Sequence, residues 1–314
     1  MMLKNFGQME QFVREQSGKK RVALAAAHDA DALGSLMMAV DRGIAEAILI
    51  GRRKEIVRVL DEMGKDAGDF RIIEEEDDRA AADKAVELVH CGEADMPMKG
   101  LMHTSTFMKA ILDKEKGLKE DGNLLSQASV FEIHEKDRFL IISDCAVNID
   151  PDLETKIKIT ENAAALAHTL GIEQPKIAVL SAVEVVNPKI RSTVDAAAMR
   201  ERLSDRYLID GPLALDNAID EAAAHHKGIE SPVAGNADIL IVPDLWSGNI
   251  FSKGLVFFAH LRSAGTLNGL KAPVVMSSRT DTVENKYLSI LTAVLQTIRR
   301  KNKTTNRKKE THYE

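Results

Sequence analysis

The sequence predicts an α/β fold built on a mainly parallel sheet with helices on both faces. Two observations carry this expectation. Short apolar runs of strand length alternate with amphipathic segments of helix length, and one hairpin-like pair interrupts the alternation. The strand-like runs are residues 21–27, 45–50, 70–74, 129–133, 139–143, 176–180, 238–242 and 272–276. Helix-like segments stand between many of them, at 31–41, 54–63, 79–89, 104–112, 154–170, 192–205, 248–261 and 283–298. Such repetition suits parallel strands, whose crossovers lay helices on the sheet.

The interruption falls at 129–133 and 139–143, which are separated by the polar stretch Glu135-Lys136-Asp137-Arg138. This reads as a β-hairpin, and so as an antiparallel pair. Such a pair marks a change of domain in an α/β chain, which places a boundary near Asn123. Residues 301–314 are polar and poorly patterned, so this tail is expected to fray.

Composition narrows the function. The 314 residues are 45% hydrophobic and 29% charged, which are globular values. A net charge of −6 argues against a general nucleic-acid binder, but leaves room for local basic pockets. The two cysteines, Cys91 and Cys145, offer no disulfide framework and point to a reducing cytosol. The first twenty residues are polar and charged, unlike a signal peptide. No run approaches the ~18 continuous apolar residues of a membrane span. A soluble cytoplasmic protein is therefore expected, with no membrane partner.

Several motifs are absent. There is no G-x-G-x-x-G, no Walker-type glycine loop, no C-x-x-C and no H-E-x-x-H. The run His28-Asp29-Ala30-Asp31-Ala32-Leu33-Gly34-Ser35 follows a strand and opens a helix. It resembles the first motif of the DHH phosphodiesterases, where histidine and aspartates bind manganese. That family also needs an Asp-His-His run and a Gly-Gly-x-His motif. The pair His225-His226 follows Ala224 in a helical-looking stretch, and the second motif is missing. The favoured reading is that Asp29 or Asp31 caps a helix. No metal is expected.

Four segments in the second half form an ordered set. They are Asp210-Gly211-Pro212-Leu213-Ala214-Leu215-Asp216, Ser231-Pro232-Val233-Ala234-Gly235, Pro243-Asp244-Leu245-Trp246-Ser247-Gly248-Asn249 (continuing to Lys253), and Ala272-Pro273-Val274-Val275 followed by Ser277-Ser278-Arg279-Thr280-Asp281. In order and spacing they resemble the phosphate acetyl- and butyryltransferases, whose forms are D-G-P-L-x-x-D, S-x-V-A-G, P-D-L-x-x-G-N and P-V-x-x-x-S-R. Lys99-Gly100-Leu101-Met102-His103-Thr104 looks like that family's glycine turn before a helix. The acetyl branch places Gly after Ser-Arg and Asp seven residues after the Ser. Thr280 and Asn285 stand there in this chain, and Ser278 to Lys286 reads S-R-x-D-x-x-E-x-K, as in the butyryl branch.

The resemblance implies an isocitrate/isopropylmalate dehydrogenase-like fold of two α/β subdomains. The expected extents are 1–123 plus 275–314 for one and 124–274 for the other, with a cleft between them. It implies transfer of an acyl group between coenzyme A and inorganic phosphate, by direct attack in a ternary complex. Butanoyl-CoA would give butanoyl phosphate, with acetyl-CoA as the alternative substrate. Coenzyme A enters as substrate, no cofactor is expected, and the implied assembly is a homodimer or higher homo-oligomer. Rival classes are the metal phosphodiesterase and a non-catalytic CoA-binding protein.

The chemistry needs a cation for the phosphoryl group, donors for a tetrahedral oxyanion and a base for the thiol. Arg279 suits the first, because its planar fork binds phosphate in bidentate fashion. Its bland alternative is a surface pair with Asp281. Ser278 can donate to the oxyanion or the thioester region. Asn285 cannot act as a base, which leaves Asp281 and Glu284, although both also suit a helix N-terminus. Lys99, Gly100, His103 and Thr104 are expected to bind substrate. The amides of His103 and Thr104 would hold phosphate, unless Thr104 merely caps its helix. Gly235, Asn249 and Lys253 are expected on the opposite wall of the cleft, with solvent exposure the default for Lys253.

Overall fold

The computed structural model describes residues 1–16 and 18–310, with side chains to 302. The chain forms two compact units: Phe6–Gly122 with Ala264–Glu314, and Met1–Asn5 with Asn123–Ser263.

The first unit opens with α1 (Phe6–Glu15), then β1 (Lys20–Ala25), α2 (Ala30–Asp41), β2 (Ala45–Gly51), α3 (Arg53–Glu62), β3 (Arg71–Glu74), α4 (Asp78–His90), β4 (Met96–Lys99) and α5 (Thr104–Ile111). Its sheet runs β3-β2-β1-β4, and every pairing is parallel. Val22, Ala23, Leu24 and Ala25 of β1 are fully buried, as expected of a strand covered on both faces. Asp29 caps α2 by accepting from the Asp31 N–H at 3.3 Å, and Asp77 caps α4 by accepting from Ala80 at 2.8 Å. Each satisfies a donor that its helix leaves open.

The second unit supplies β5 (Ser126–Ile133), β6 (Arg138–Ser143), α6 (Leu153–Thr169), β7 (Lys176–Leu180), α7 (Arg191–Leu203), β8 (Leu208–Leu213), α8 (Leu215–Ile219), α9 (Glu221–His226), β9 (Ile239–Ile241) and α10 (Leu245–Phe257). Within it the strands run β5-β6-β9-β7-β8. β5 and β6 form the expected antiparallel pair, and the remaining pairings are parallel. Asp137 takes a left-handed conformation (φ 44°) in the hairpin turn, a conformation that Asp tolerates better than most residues. The apolar core joins Phe131, Leu140 and Ile142 to Ala178, Leu213 and Leu240.

The chain leaves the second unit at Ser263, inside β10 (Ser263–Asn268), and ends in α11 (Val283–Glu310). α11 is buried without a break from Asn285 to Ile298. A buried stretch of this length marks an internal helix rather than an amphipathic surface one. It packs on α2 and α1. The Tyr287 hydroxyl donates to Glu10 of α1 at 2.7 Å, and Arg42 at the end of α2 lies 4.6 Å over the Tyr287 ring while pairing with Glu10 at 2.7 Å. One aromatic ring thus ties three helices together.

Four expectations are revised. Residues 272–276 form no strand. Pro273 lacks the N–H a ladder needs, and one parallel bridge, Met98↔Val275, stands in its place. The return to the first unit falls at Ala264 rather than 275, and Met1–Asn5 belong to the second unit. α11 continues to Glu310 instead of stopping near 298, while 311–314 lie outside the described residues. α1, β4, β8 and β10 are additional elements. β8 contains Gly211-Pro212, and its place at the edge of the sheet is where proline is tolerated.

Gly100 leaves β4 against the end of β1. Its N–H donates to the Ala25 carbonyl at 2.8 Å, and the next N–H, of Leu101, donates to Ala26 at 3.1 Å. A Cβ at Gly100 would sit 2.2 Å from the Ala26 carbonyl oxygen and 2.6 Å from that of Ala25. Both are backbone atoms and cannot rotate away. Ala26 itself has φ 52°, a left-handed conformation costly for a residue with a Cβ. Gly100→Ala is therefore expected to lower stability by about 2 kcal/mol or more. Chemical denaturation reads this as a fall in midpoint, and an unchanged midpoint would refute the close approach.

Candidate functional site

The first unit brings Lys99, Gly100, His103, Thr104, Ser278, Arg279 and Asp281 to one place, at the carboxyl ends of β1 and β4. Ligands of open α/β sheets gather at such ends. The two segments are 180 residues apart in sequence but run side by side. The Lys99 N–H donates to the Val275 carbonyl at 3.0 Å, and the Val275 N–H donates to Pro97 at 3.0 Å. Beyond Val275 the chain enters the Ser278–Arg279 loop, and beyond Lys99 it enters the turn into α5.

Lys99 is 5% exposed. Its Nζ donates to the carbonyls of Gly100 at 3.2 Å and Met102 at 3.5 Å. Among the described residues no carboxylate lies within ion-pair distance of it. Burial is the largest cause holding its pKa below the ordinary lysine value, the Arg279 guanidinium pushes the same way, Asp29 opposes, and Lys286 adds further lowering. Two cations thus repel each other at close quarters. Arg279 is exposed, and its Nη2 meets His103 Nδ1 at 3.4 Å. No carboxylate among the described residues pairs with its guanidinium, which removes the surface pair with Asp281 that spacing left open.

Asp281 instead shapes the loop. Its carboxylate accepts from the Ser278 N–H at 2.7 Å, and its own N–H donates to the Ser278 carbonyl at 3.2 Å. The Ser278 hydroxyl is exposed and lies 3.1 Å from that of Thr280. Glu284 lies exposed in the first turn of α11. Asn285 is buried, and its N–H donates to Thr282 Oγ1 at 3.1 Å.

The start of α5 completes the picture. His103 is its N-cap but makes no side-chain cap bond, so Thr104 is the first helical residue and not a cap. The amides of Thr106 and Phe107 donate to the His103 carbonyl. Those of Thr104 and Ser105 find no acceptor among the described residues. Open amides at a helix start and nearby cations both favour negative charge.

Gly235, Asn249 and Lys253 belong to the other unit, where the first two have structural work. Gly235 has φ 81°, donates its N–H to Asn217 at 2.8 Å, and a Cβ there would lie 2.7 Å from the Glu221 Cα. Asn249 Nδ2 donates to the Cys145 carbonyl at 3.2 Å. Lys253 is exposed on α10. Asp244 forms a capping box with Ser247, and Ser231 Oγ accepts from Val233 and Ala234. These motifs shape turns and helix starts. The Cys145 thiol is buried and pushed up to about 12, chiefly by burial and then by the charge of Asp144, so it is no nucleophile.

The sequence reading gave Lys286 and Asp31 no role in the site. Lys286 is 3% exposed and lies 3.8 Å from the carboxylate of Asp31. The available signal was a lysine at the head of a helical stretch rich in apolar residues (Tyr287, Leu288, Ile290, Leu291). Asp29 and Asp31 do not gather with other ligands. No group of three His, Cys, Asp or Glu side chains placed to hold a metal occurs among the described residues.

A family model described as "Phosphate acetyl/butaryl transferase" matches residues 78–294. The phosphate butyryltransferase of Clostridium acetobutylicum is 46% identical over 299 residues, covering 94% of this chain and 98% of that one. The crystal structure of a branched-chain phosphotransacylase from Enterococcus faecalis superposes with a TM-score of 0.80 at 34% identity, over 88% of this chain and 99% of that one. A 4-hydroxythreonine-4-phosphate dehydrogenase from Burkholderia phymatum shares the fold alone, with a TM-score of 0.51 at 16% identity over 89% and 98% of the two chains. The chain belongs to the phosphate acetyl/butyryl transferase family, and its α/β architecture is the dehydrogenase-like one expected of it.

The lowered pKa of Lys99 has a consequence for stability. An unfolded lysine titrates near 10.4. A folded value below that means the ammonium favours the native state less than the neutral amine does. Its stabilising contribution is present above the unfolded pKa and is lost as pH falls through the folded value. Lys99→Met is therefore expected to melt at a higher temperature than the native protein at pH 7, with the gap closing as pH nears about 10. Inorganic phosphate should raise the melting temperature of the native protein by mass action and that of the variant far less. Equal shifts in both proteins would remove Lys99 from the anion site.

Proposed function

We propose that this protein is a phosphate acyltransferase that exchanges a short-chain acyl group between coenzyme A and inorganic phosphate, with the butanoyl group preferred. The observation that carries the proposal is the placement of Lys99 and Arg279, two cations without a carboxylate in ion-pair distance among the described residues, beside the start of α5. Such a site matches a phosphate dianion in charge and donors. Its residues are those by which the chain resembles its family. The butanoyl preference is supported by the C. acetobutylicum relative and by the S-R-x-D-x-x-E-x-K spacing from Ser278 to Lys286.

In this reading Arg279 grips two phosphate oxygens, while Lys99 and the Thr104 and Ser105 amides hold the rest. An oxygen of the bound phosphate attacks the thioester carbonyl carbon. The carbon–oxygen bond forms, the carbonyl electrons move onto oxygen, and the Ser278 hydroxyl donates to the resulting oxyanion. Collapse expels the coenzyme A thiolate and leaves the acyl phosphate. In reverse the thiol must lose a proton. Its ordinary pKa near ~8.5 asks for only a weak base, and Glu284 and Asp281 are the carboxylates of the loop. The Asp281 carboxylate also accepts from the Ser278 amide. Positioning and charge neutralisation carry the catalysis, and no acyl-enzyme is formed.

A cytoplasmic homo-oligomer belongs to the same reading. Coenzyme A thioesters are cytosolic metabolites, and both cysteines are free thiols. Trp246, Ile250 and Phe257 stand exposed four and seven residues apart along α10, on one helical face. That face suits a second copy of the chain.

Arg279→Ala is expected to lower turnover on the order of 10²–10³-fold, as for other lost electrostatic contacts. Arg279→Lys should recover only part, because an ammonium lacks the bidentate fork. The assay follows coenzyme A release from a series of acyl-CoA substrates in the presence of phosphate. The highest kcat/KM is expected with butanoyl-CoA. Wild-type turnover in Arg279→Ala would defeat the reading, and a preference for acetyl-CoA would move the chain to the other branch.

A further inference from the structure

Lys286 has so far no task. Its side chain is among the most buried of the charged groups, 3% exposed, in the second turn of α11 between Asn285 and Tyr287, which are buried too. A buried ammonium is costly unless its donors are satisfied. Here the acceptors are specific. Nζ donates to the main-chain carbonyl of Asp281 and, at 3.5 Å, to that of Arg279. The Asp31 carboxylate lies 3.8 Å away, at the start of α2. Two carbonyls from one short loop therefore converge on a single cation, and that cation stands on a buried helix.

We infer that Lys286, with Asp31 opposite it, is the positioning residue for Arg279: its ammonium ties the Ser278–Asp281 loop to α11 and so fixes where the guanidinium points. This rests on the proposed role of Arg279 in phosphate binding. The Asp281 carboxylate on the Ser278 amide closes the loop upon itself, and the contact of Arg279 with His103 is long. Lys286 alone among these joins the loop backbone to a buried helix. It touches no reacting atom in this arrangement, because its donors face the loop carbonyls. The assignment also gives a task to the aspartates of 28–31. Asp31 balances Lys286, and Asp29 partly offsets the cationic field on Lys99.

The test is a double-mutant cycle with separate kinetics for each substrate. Lys286→Met keeps the length and bulk of the side chain and removes the charge. It is expected to raise KM for phosphate about tenfold and to lower kcat/KM for phosphate on the order of 10²-fold, the scale for a displaced binding group. KM for acyl-CoA should stay within about twofold. In an Arg279→Ala background the same substitution should change kcat/KM by less than about threefold, because the group it positions is gone. Full additivity of the two losses, or equal weakening of both substrates, would overturn the inference. So would wild-type phosphate kinetics in Lys286→Met alongside an impaired Arg279→Ala, which would leave the function standing. Wild-type turnover in Arg279→Ala would instead sink the function and this inference together. Should Lys286→Met fail to fold, Lys286→Gln keeps a donor without the charge and enters the same cycle with the same criteria.

Discussion

A lysine ammonium buried near an arginine, with no carboxylate within ion-pair distance of either among the described residues, is the constraint around which the first unit is arranged. Lys99 can occupy its place only because β4 ends there, with two main-chain carbonyls to accept from Nζ. Desolvation and the neighbouring guanidinium both work against its charge. A fold selected for stability alone would place methionine at this position. Retention of the cation makes sense when an anion completes the site, because each phosphate oxygen brings the charge and acceptors the protein leaves out.

The surrounding structure serves that arrangement. Gly100 lets β4 turn against the end of β1, at a distance no side chain would allow. The turn then delivers a helix start whose first amides are open. From the other direction Val275 locks the second segment to β4 by one parallel bridge, and the loop beyond it carries Ser278 and Arg279. The long buried helix α11 follows directly and anchors that loop. Two pieces of chain that enter the unit at opposite ends of the sequence are thereby held in register by a handful of backbone hydrogen bonds. The motifs of the second unit play a different part. Asp244 and Ser231 set helix and turn geometry, and Gly235 fills a left-handed position hard against Glu221.

Much of this was legible in the sequence, for identifiable reasons. Long alternating segments such as 154–170 and 176–180 announced themselves by period, and the polar stretch at 135–138 marked the hairpin. β4 escaped because Met96-Pro97-Met98-Lys99 is short, contains proline and ends in a charge. β10 escaped because Ser263-Ala264-Gly265 has little intrinsic strand preference. The run at 272–276 looked like a strand by composition, but hydrogen-bond capacity limited it to one bridge. Arg279 and Ser278 were nominated through the ordered motifs, and Lys99 through the glycine turn before a helix. Lys286 was missed as a participant, because a lysine in a helix reads as exposed until the burial of its neighbours is known. A cap at Asp29 or Asp31 was anticipated and Asp29 fills it, since a carboxylate before a helical run has a local purpose that needs no tertiary information.

The central claim is that Lys99, Arg279 and the open amides of α5 hold the transferring phosphoryl group. A crystal structure with butanoyl phosphate bound tests this most directly. The account requires phosphoryl oxygens within about 3 Å of the Arg279 guanidinium and of the Thr104 or Ser105 amide, with Lys99 Nζ also donating. Acyl phosphate seated elsewhere, with the Arg279 side chain turned to solvent and Lys99 unchanged, would contradict it.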